Sequence, residues 1–182
     1  MSVFSNPASS SPEETQAYIA AILDLLGDRD PLAVLAATPS ALERLVAGLP
    51  YGRLVAPEAE GKWSIRHVLR HLADSEIVWG WRLRVTLAQD RPRLTGWDQD
   101  AWAAGLDYDE ADAGEALEEL ATLRRGHVRL LGNLPDAALD RVALHEERAE
   151  ESVRRMMDLY AGHDLLHLRQ IERIRAVVEE AP

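Results

Sequence analysis

The sequence predicts an all-α protein: a four-helix bundle preceded by an additional N-terminal helix. Three observations carry this. Four long segments repeat apolar residues three and four apart, the spacing that builds one helical face. Pro, Gly and Ser punctuate the stretches between them. No alternating apolar and polar run bounded by turn residues marks a strand in the 182 residues.

The elements follow in order. Ser11 and Glu14 make a capping box with Pro12 at the first helical position, and Gly27 stops the helix after Leu26. The Ser-rich residues 1–11 are expected to fray. Pro31 to Leu49 reads as a second helix, with Pro39 the place for a break. A loop spans Pro50 to Gly61, and Ser64 caps a helix that runs to about Asp90. A long loop from Arg91 to about Asp107 carries Pro92, Gly96, Trp97 and Trp102. The next helix runs from about Asp109 to Leu134, ahead of Pro135; a loop covers about Asp136 to Glu150, and the last helix about Glu151 to Glu179. One domain is expected over residues 1–182, with the bundle at about 31–180.

Composition narrows the function. There are 31 acidic against 20 basic residues, a net charge of −11, which argues against a nucleic-acid surface. No apolar run reaches membrane-spanning length, and the N-terminus lacks the basic start and apolar core of a signal peptide, so the expected location is cytoplasmic. Cysteine is absent, which removes disulfides, thiolate ligands and a Cys nucleophile. A metal must then be held by His, Asp or Glu, and any thiol chemistry needs a thiol brought by the substrate.

Four of the six histidines form two H-x-x-x-H pairs, at 67–71 and 163–167. Residues four apart share a helical face, so two imidazoles can reach one ion. On the last helix, Val153, Met156, Met157, Tyr160, Ile171, Ile174 and Val178 form the apolar stripe, and His163, Asp164 and His167 interrupt it. Buried polar groups need partners, so this interruption requires a reason. On the Ser64–Asp90 helix the stripe is Ile65, Val68, Leu72, Ser75, Trp79 and Leu83; His71 flanks it and His67 lies further toward solvent. His71, His163 and His167 therefore read either as a three-imidazole metal site with open positions or as a polar core network without metal.

Two segments decide between these by resemblance. W-S-x-x-x-V-L-x-H-L-A-D-S-E at Trp63–Glu76 and A-G-H-D-L-L-H-L-R-Q-I at Ala161–Ile171 resemble the signature segments of the DinB-like superfamily, and G-W-D-Q-D-A-W at Gly96–Trp102 resembles a segment of one of its branches. The resemblance implies an up-down-down-up four-helix bundle, often dimeric, whose divalent nickel or zinc ion is held at positions matching His71, His163 and His167. It also implies chemistry on small molecules. Relatives include thiol S-transferases using bacillithiol or other low-molecular-weight thiols, a mycothiol-dependent isomerase, and proteins named only as prospective metal-dependent hydrolases. A metal-binding stress protein without turnover is the alternative.

Position 67 is commonly acidic or amide in that family; here it is His67, expected to cap the helix with Ser64 rather than to bind metal. Asp164 is expected either to orient His71 or a bound water, or to pair with an Arg. Glu76 is a candidate of the same kind. Asp98 and Asp100 are candidates for a pocket rim, with Trp97 and Trp102 pinning their loop to the bundle. His145 reads as a supporting residue of the site or as exposed, and His127 as a surface residue. Trp79 and Trp81 point to different faces of one helix, which predicts a homodimer.

Overall fold

The computed structural model describes residues 11–180. Eight α-helices occur among them: α1 (Pro12–Leu26), α2 (Pro31–Val46), α3 (Tyr51–Val55), α4 (Ile65–Ala88), α5 (Gln99–Gly105), α6 (Ala113–Gly132), α7 (Asp136–Leu139) and α8 (Val153–Glu180). The long helices α2, α4, α6 and α8 form the four-helix bundle. In it α2 packs on α8 and α6, and α4 packs on α6 and α8. The connections α2 to α4 and α6 to α8 thus cross between helices that are not main packing neighbours. The additional helix α1 lies against α8. The expected fraying of residues 1–11 falls outside the described residues except at Ser11.

Local chemistry fixes the helix starts. Ser11 Oγ accepts from the Glu14 amide at 3.2 Å, and Glu14 Oε2 accepts from the Ser11 amide at 2.8 Å. Asp30 caps α2 by accepting from the Leu32 amide at 3.0 Å. The helix continues through Pro39 without a break. At the start of α4, His67 closes a capping box: its Nδ1 lies 3.4 Å from the Ser64 amide, and its own amide donates to Ser64 Oγ at 3.5 Å.

The expectation of no strands is corrected. Strands β1 (Arg93–Leu94), β2 (Val142–His145) and β3 (Ala149–Ser152) form a small sheet in the order β1-β2-β3. β1 runs parallel to β2 with Arg93 opposite Leu144, and β2 pairs antiparallel with β3 with Val142 opposite Ser152. The hairpin turns over three residues and ends on Ala149 at φ 62°, a left-handed position usually marked by Gly. Without that mark, and with strands this short, the pattern offered no strand signal.

The core is layered. Near one end Trp79, Leu83, Met156, Tyr160 and Ile22 pack together; near the other Ile65, Leu69, Leu120, Ile171 and Ile174 do. Polar residues sit between the two apolar clusters along both helices, Asp74–Glu76 on α4 and His163, Asp164 and His167 on α8, with His71 a turn before Ser75 on α4. Gly162 permits the close approach of α1 there, since a Cβ at 162 would collide with the backbone of Ile22.

Candidate metal centre

His71 projects from α4, and His163 and His167 from successive turns of α8. Their Nε2 atoms converge: His71 to His163 is 3.2 Å and His167 to His163 is 3.1 Å. Metal–imidazole bonds of about 2.0–2.1 Å put ligand nitrogens roughly 2.9 Å apart at right angles and roughly 3.4 Å apart at the tetrahedral angle. The observed separations fall between these values, so the donor set fits a single divalent ion. Nδ1 of His167 lies 2.7 Å from Oε1 of Gln170. An amide oxygen only accepts, so this nitrogen carries the proton and Nε2 keeps its lone pair.

All three imidazoles are buried, and this keeps them neutral. Burial first, then the neighbouring imidazoles, hold His71 and His163 well below the ordinary histidine range; burial brings His167 down to about 4. Aromatic rings flank His71. Trp97 stacks on it at 5.3 Å with an interplanar angle of 4°, and Trp63 tilts against it at 5.1 Å. Trp102 meets Trp97 edge-on at 4.7 Å. The loop is thus pinned to the bundle, as its two Trp suggest, and Trp97 is pinned on the histidine itself.

A buried ion network supports this layer. Arg124 of α6 donates to Glu76 Oε1 at 2.6 Å from Nε, and to Asp164 from Nη1 at 2.5 Å and Nη2 at 3.1 Å. His127 Nδ1 lies 2.8 Å from Glu76 Oε2. Asp164 therefore pairs with an arginine, and orients neither His71 nor the centre of the cluster. The surface assignment of His127 is corrected: it is 3% exposed, and its ring lies where a Cβ on Gly80 would collide with it. Burial raises Asp164 despite Arg124, whereas for Glu76 the contacts to His127 and Arg124 outweigh burial and lower it.

A cavity of about 60 Å³ opens beside the cluster, lined by His71, His163, Trp97, Trp79, Arg82 and Glu147 among others. Asp98 and Asp100 are not in its wall, which corrects the expected rim. Asp98 caps α5, accepting from the amides of Asp100 and Ala101 at 3.0 Å each. His145 ends β2 and is buried, and its Nδ1 accepts from the Glu147 amide at 3.2 Å. Sequence reasoning missed Arg124, Gln170, Arg82 and Glu147. Gln170 was findable, three residues after His167 on the same helix; the others reach the site from helices and a hairpin whose packing no pattern specifies.

The chain belongs to the DinB superfamily, whose model matches residues 35–171. It is 28% identical over 144 residues to "Putative metal-dependent hydrolase YfiT" of Bacillus subtilis, covering 79% of this chain and 81% of that protein. A relative of the same functional name from Geobacillus thermodenitrificans is 27% identical over 173 residues, covering 94% of this chain and 90% of its own length. The solved structure of YfiT superimposes with a TM-score of 0.74 at 25% identity, over 92% of this chain and 89% of that one. That structure is described as a probable metal-dependent hydrolase with an unusual four-helix bundle topology.

Proposed function

We propose that this protein is a metal-dependent hydrolase of a small-molecule substrate, with His71, His163 and His167 holding one divalent ion, nickel or zinc. The single observation that carries the reading is the cavity: His71 and His163 stand in its wall, so a small molecule can reach the converging nitrogens. A storage or purely structural site would be closed. When bound, such an ion acidifies a water, or equally a low-molecular-weight thiol, into a nucleophile near neutral pH.

The chain's own residues supply the rest. Burial keeps the three imidazoles neutral and ready to donate their lone pairs. Gln170 fixes the tautomer of His167. Trp63 and Trp97 hold the ring plane of His71. Glu147 contributes a carboxylate to the cavity wall.

The test is a panel of small esters and amides, with a second arm of thiols plus an electrophilic acceptor, on metal-loaded and metal-stripped protein. Turnover of the first arm in loaded protein only, lost in His167→Ala, is expected. Turnover confined to the second arm would make the protein a thiol S-transferase instead. Equal rates in loaded and stripped protein would overturn the metal-dependent reading.

A further inference from the structure

The cavity beside the histidines has a second, chemically different wall. Arg82 lines it from α4, one side of its guanidinium lying 5.6 Å from the centre of the Trp79 ring. The residue is 2% exposed. Its Nη2 donates to the Thr95 carbonyl at 2.6 Å, but its Nε is buried with no hydrogen-bond partner. No carboxylate forms an ion pair with it among the described residues. Close by, His145 Nε2 is likewise buried without a partner.

The acidic groups around Arg82 are engaged elsewhere or stand off. Arg148, the other cation in the cavity wall, pairs with Glu151. Glu146 accepts from the Gly96 amide at 2.5 Å. Glu147 shares the wall without reaching Arg82 as an ion pair. Burial, with Arg148 nearby, lowers Arg82 only to about 10, so it stays charged at neutral pH. A buried, charged and incompletely bonded guanidinium is costly unless an anion completes it. The same wall also carries the apolar side chains of Ile19, Ile22 and Leu159.

We propose that Arg82, backed by Arg148, is the anion subsite of this cavity, and that the substrate is a small carboxylate whose apolar body spans from Arg82 to the three-histidine cluster. The guanidinium fork matches the planar carboxylate and would orient the reacting end of the molecule toward the histidines. This rests on the reading of the cavity as the substrate site, but its binding half stands without the metal.

The test uses butyrate, its neutral match butyramide, and inorganic phosphate. Each is titrated into the full-length protein, metal-loaded and metal-stripped, and followed by tryptophan fluorescence, since Trp79 and Trp97 line the cavity. Butyrate should bind both forms, weaken with added salt, and lose about tenfold or more in affinity in Arg82→Gln. Arg82→Lys, which keeps the charge but not the fork, should fall between. Butyramide binding as tightly as butyrate, or phosphate bound in preference to it, would overturn the proposal. So would butyrate binding that needs the metal and ignores Arg82; that result would leave the proposed function standing. Arg82-dependent binding in a protein that takes up no metal would do the reverse. Should Arg82→Gln not fold, the butyrate–butyramide comparison in the unaltered protein decides.

Discussion

Arg124 donates from Nη1 to the carbonyl oxygen of Leu35 at 2.8 Å, the acceptor that Pro39 leaves without its helical partner. Proline has no N–H to offer the residue four positions back. The guanidinium of another helix supplies the missing donor, so α2 runs on unbroken. The same group binds Glu76 and Asp164 directly beside His163. A defect in one helix is thereby tied to the layer that holds the histidines.

This makes Arg124 a stability residue first. Removing it strands two buried carboxylates and one carbonyl. Arg124→Met should therefore cost about 3–5 kcal/mol in urea unfolding. A loss below about 1 kcal/mol would mean that the carboxylates find water or become neutral at little cost.

Metal content should depend on His167. The unaltered protein is expected to carry about one divalent ion per chain, with nitrogen ligands at about 2.0–2.2 Å by X-ray absorption. Elemental analysis of His167→Ala should show most of it gone. Full occupancy in that variant would sink the ligand assignment.

His67 should be dispensable for metal. It caps α4 through Ser64, and its Nε2 lies 3.1 Å from Asp109, so both ring nitrogens are engaged away from the other histidines. His67→Gln keeps a side chain able to cap, and metal affinity should stay within a few-fold of the unaltered protein. A loss as large as that of His71→Ala would argue for a fourth imidazole ligand.

The pH dependence has a definite sign. In the unfolded chain the three imidazoles titrate near 6.5; in the folded, metal-free chain His167 falls to about 4, and His71 and His163 also lie below 6.5. Between these values the unfolded state binds more protons. The metal-free protein should thus lose stability as pH drops below about 6.5, levelling only beneath the folded values. Urea midpoints at pH 7, 6 and 5 should fall in that order. The imidazoles are already neutral at pH 7, so a proton released on metal binding there would come from ion-bound water and not from them. A flat stability profile would contradict the burial argument.

Two faces of α4 carry tryptophan. Trp79 is buried against Tyr160, stacked at 5.0 Å, while Trp81 is 50% exposed and Ile77, one turn away on the same face, is 48% exposed. We expect a symmetric homodimer through this face, helped by screening of the acidic charge beyond about 8 Å at physiological salt. Light scattering should give twice the chain mass, reduced to one in Trp81→Glu. A monomer mass for the unaltered protein at micromolar concentration would exclude the dimer.

Helices and histidines were legible because they depend on spacing. Ser11 with Glu14, and Ser64, act within three residues of themselves, and their caps form as the sequence suggests; the Asp30 cap of α2 is of the same local kind. The apolar stripes of α4 and α8 are buried throughout, and the three polar interruptions of the latter are the residues that meet at the cluster or pair with Arg124. The hairpin at Val142–Ser152 was not legible, since its left-handed residue is Ala149 and its turn is Glu146–Glu147–Arg148.

The sequence by itself determined the helical class, the caps and the inward placement of His71, His163 and His167, because periodicity and capping are local properties of the chain. Only the tertiary structure decided what those residues meet. It turned Asp164 and Glu76 toward Arg124, brought His127 inside over Gly80, left Asp98 and Asp100 out of the cavity wall, and brought Arg82 into the same cavity as His71 and His163. These outcomes depend on which helices pack together and at what depth. A helical wheel shows which face a side chain occupies; the partner across the interface comes from another part of the chain, and packing alone selects it.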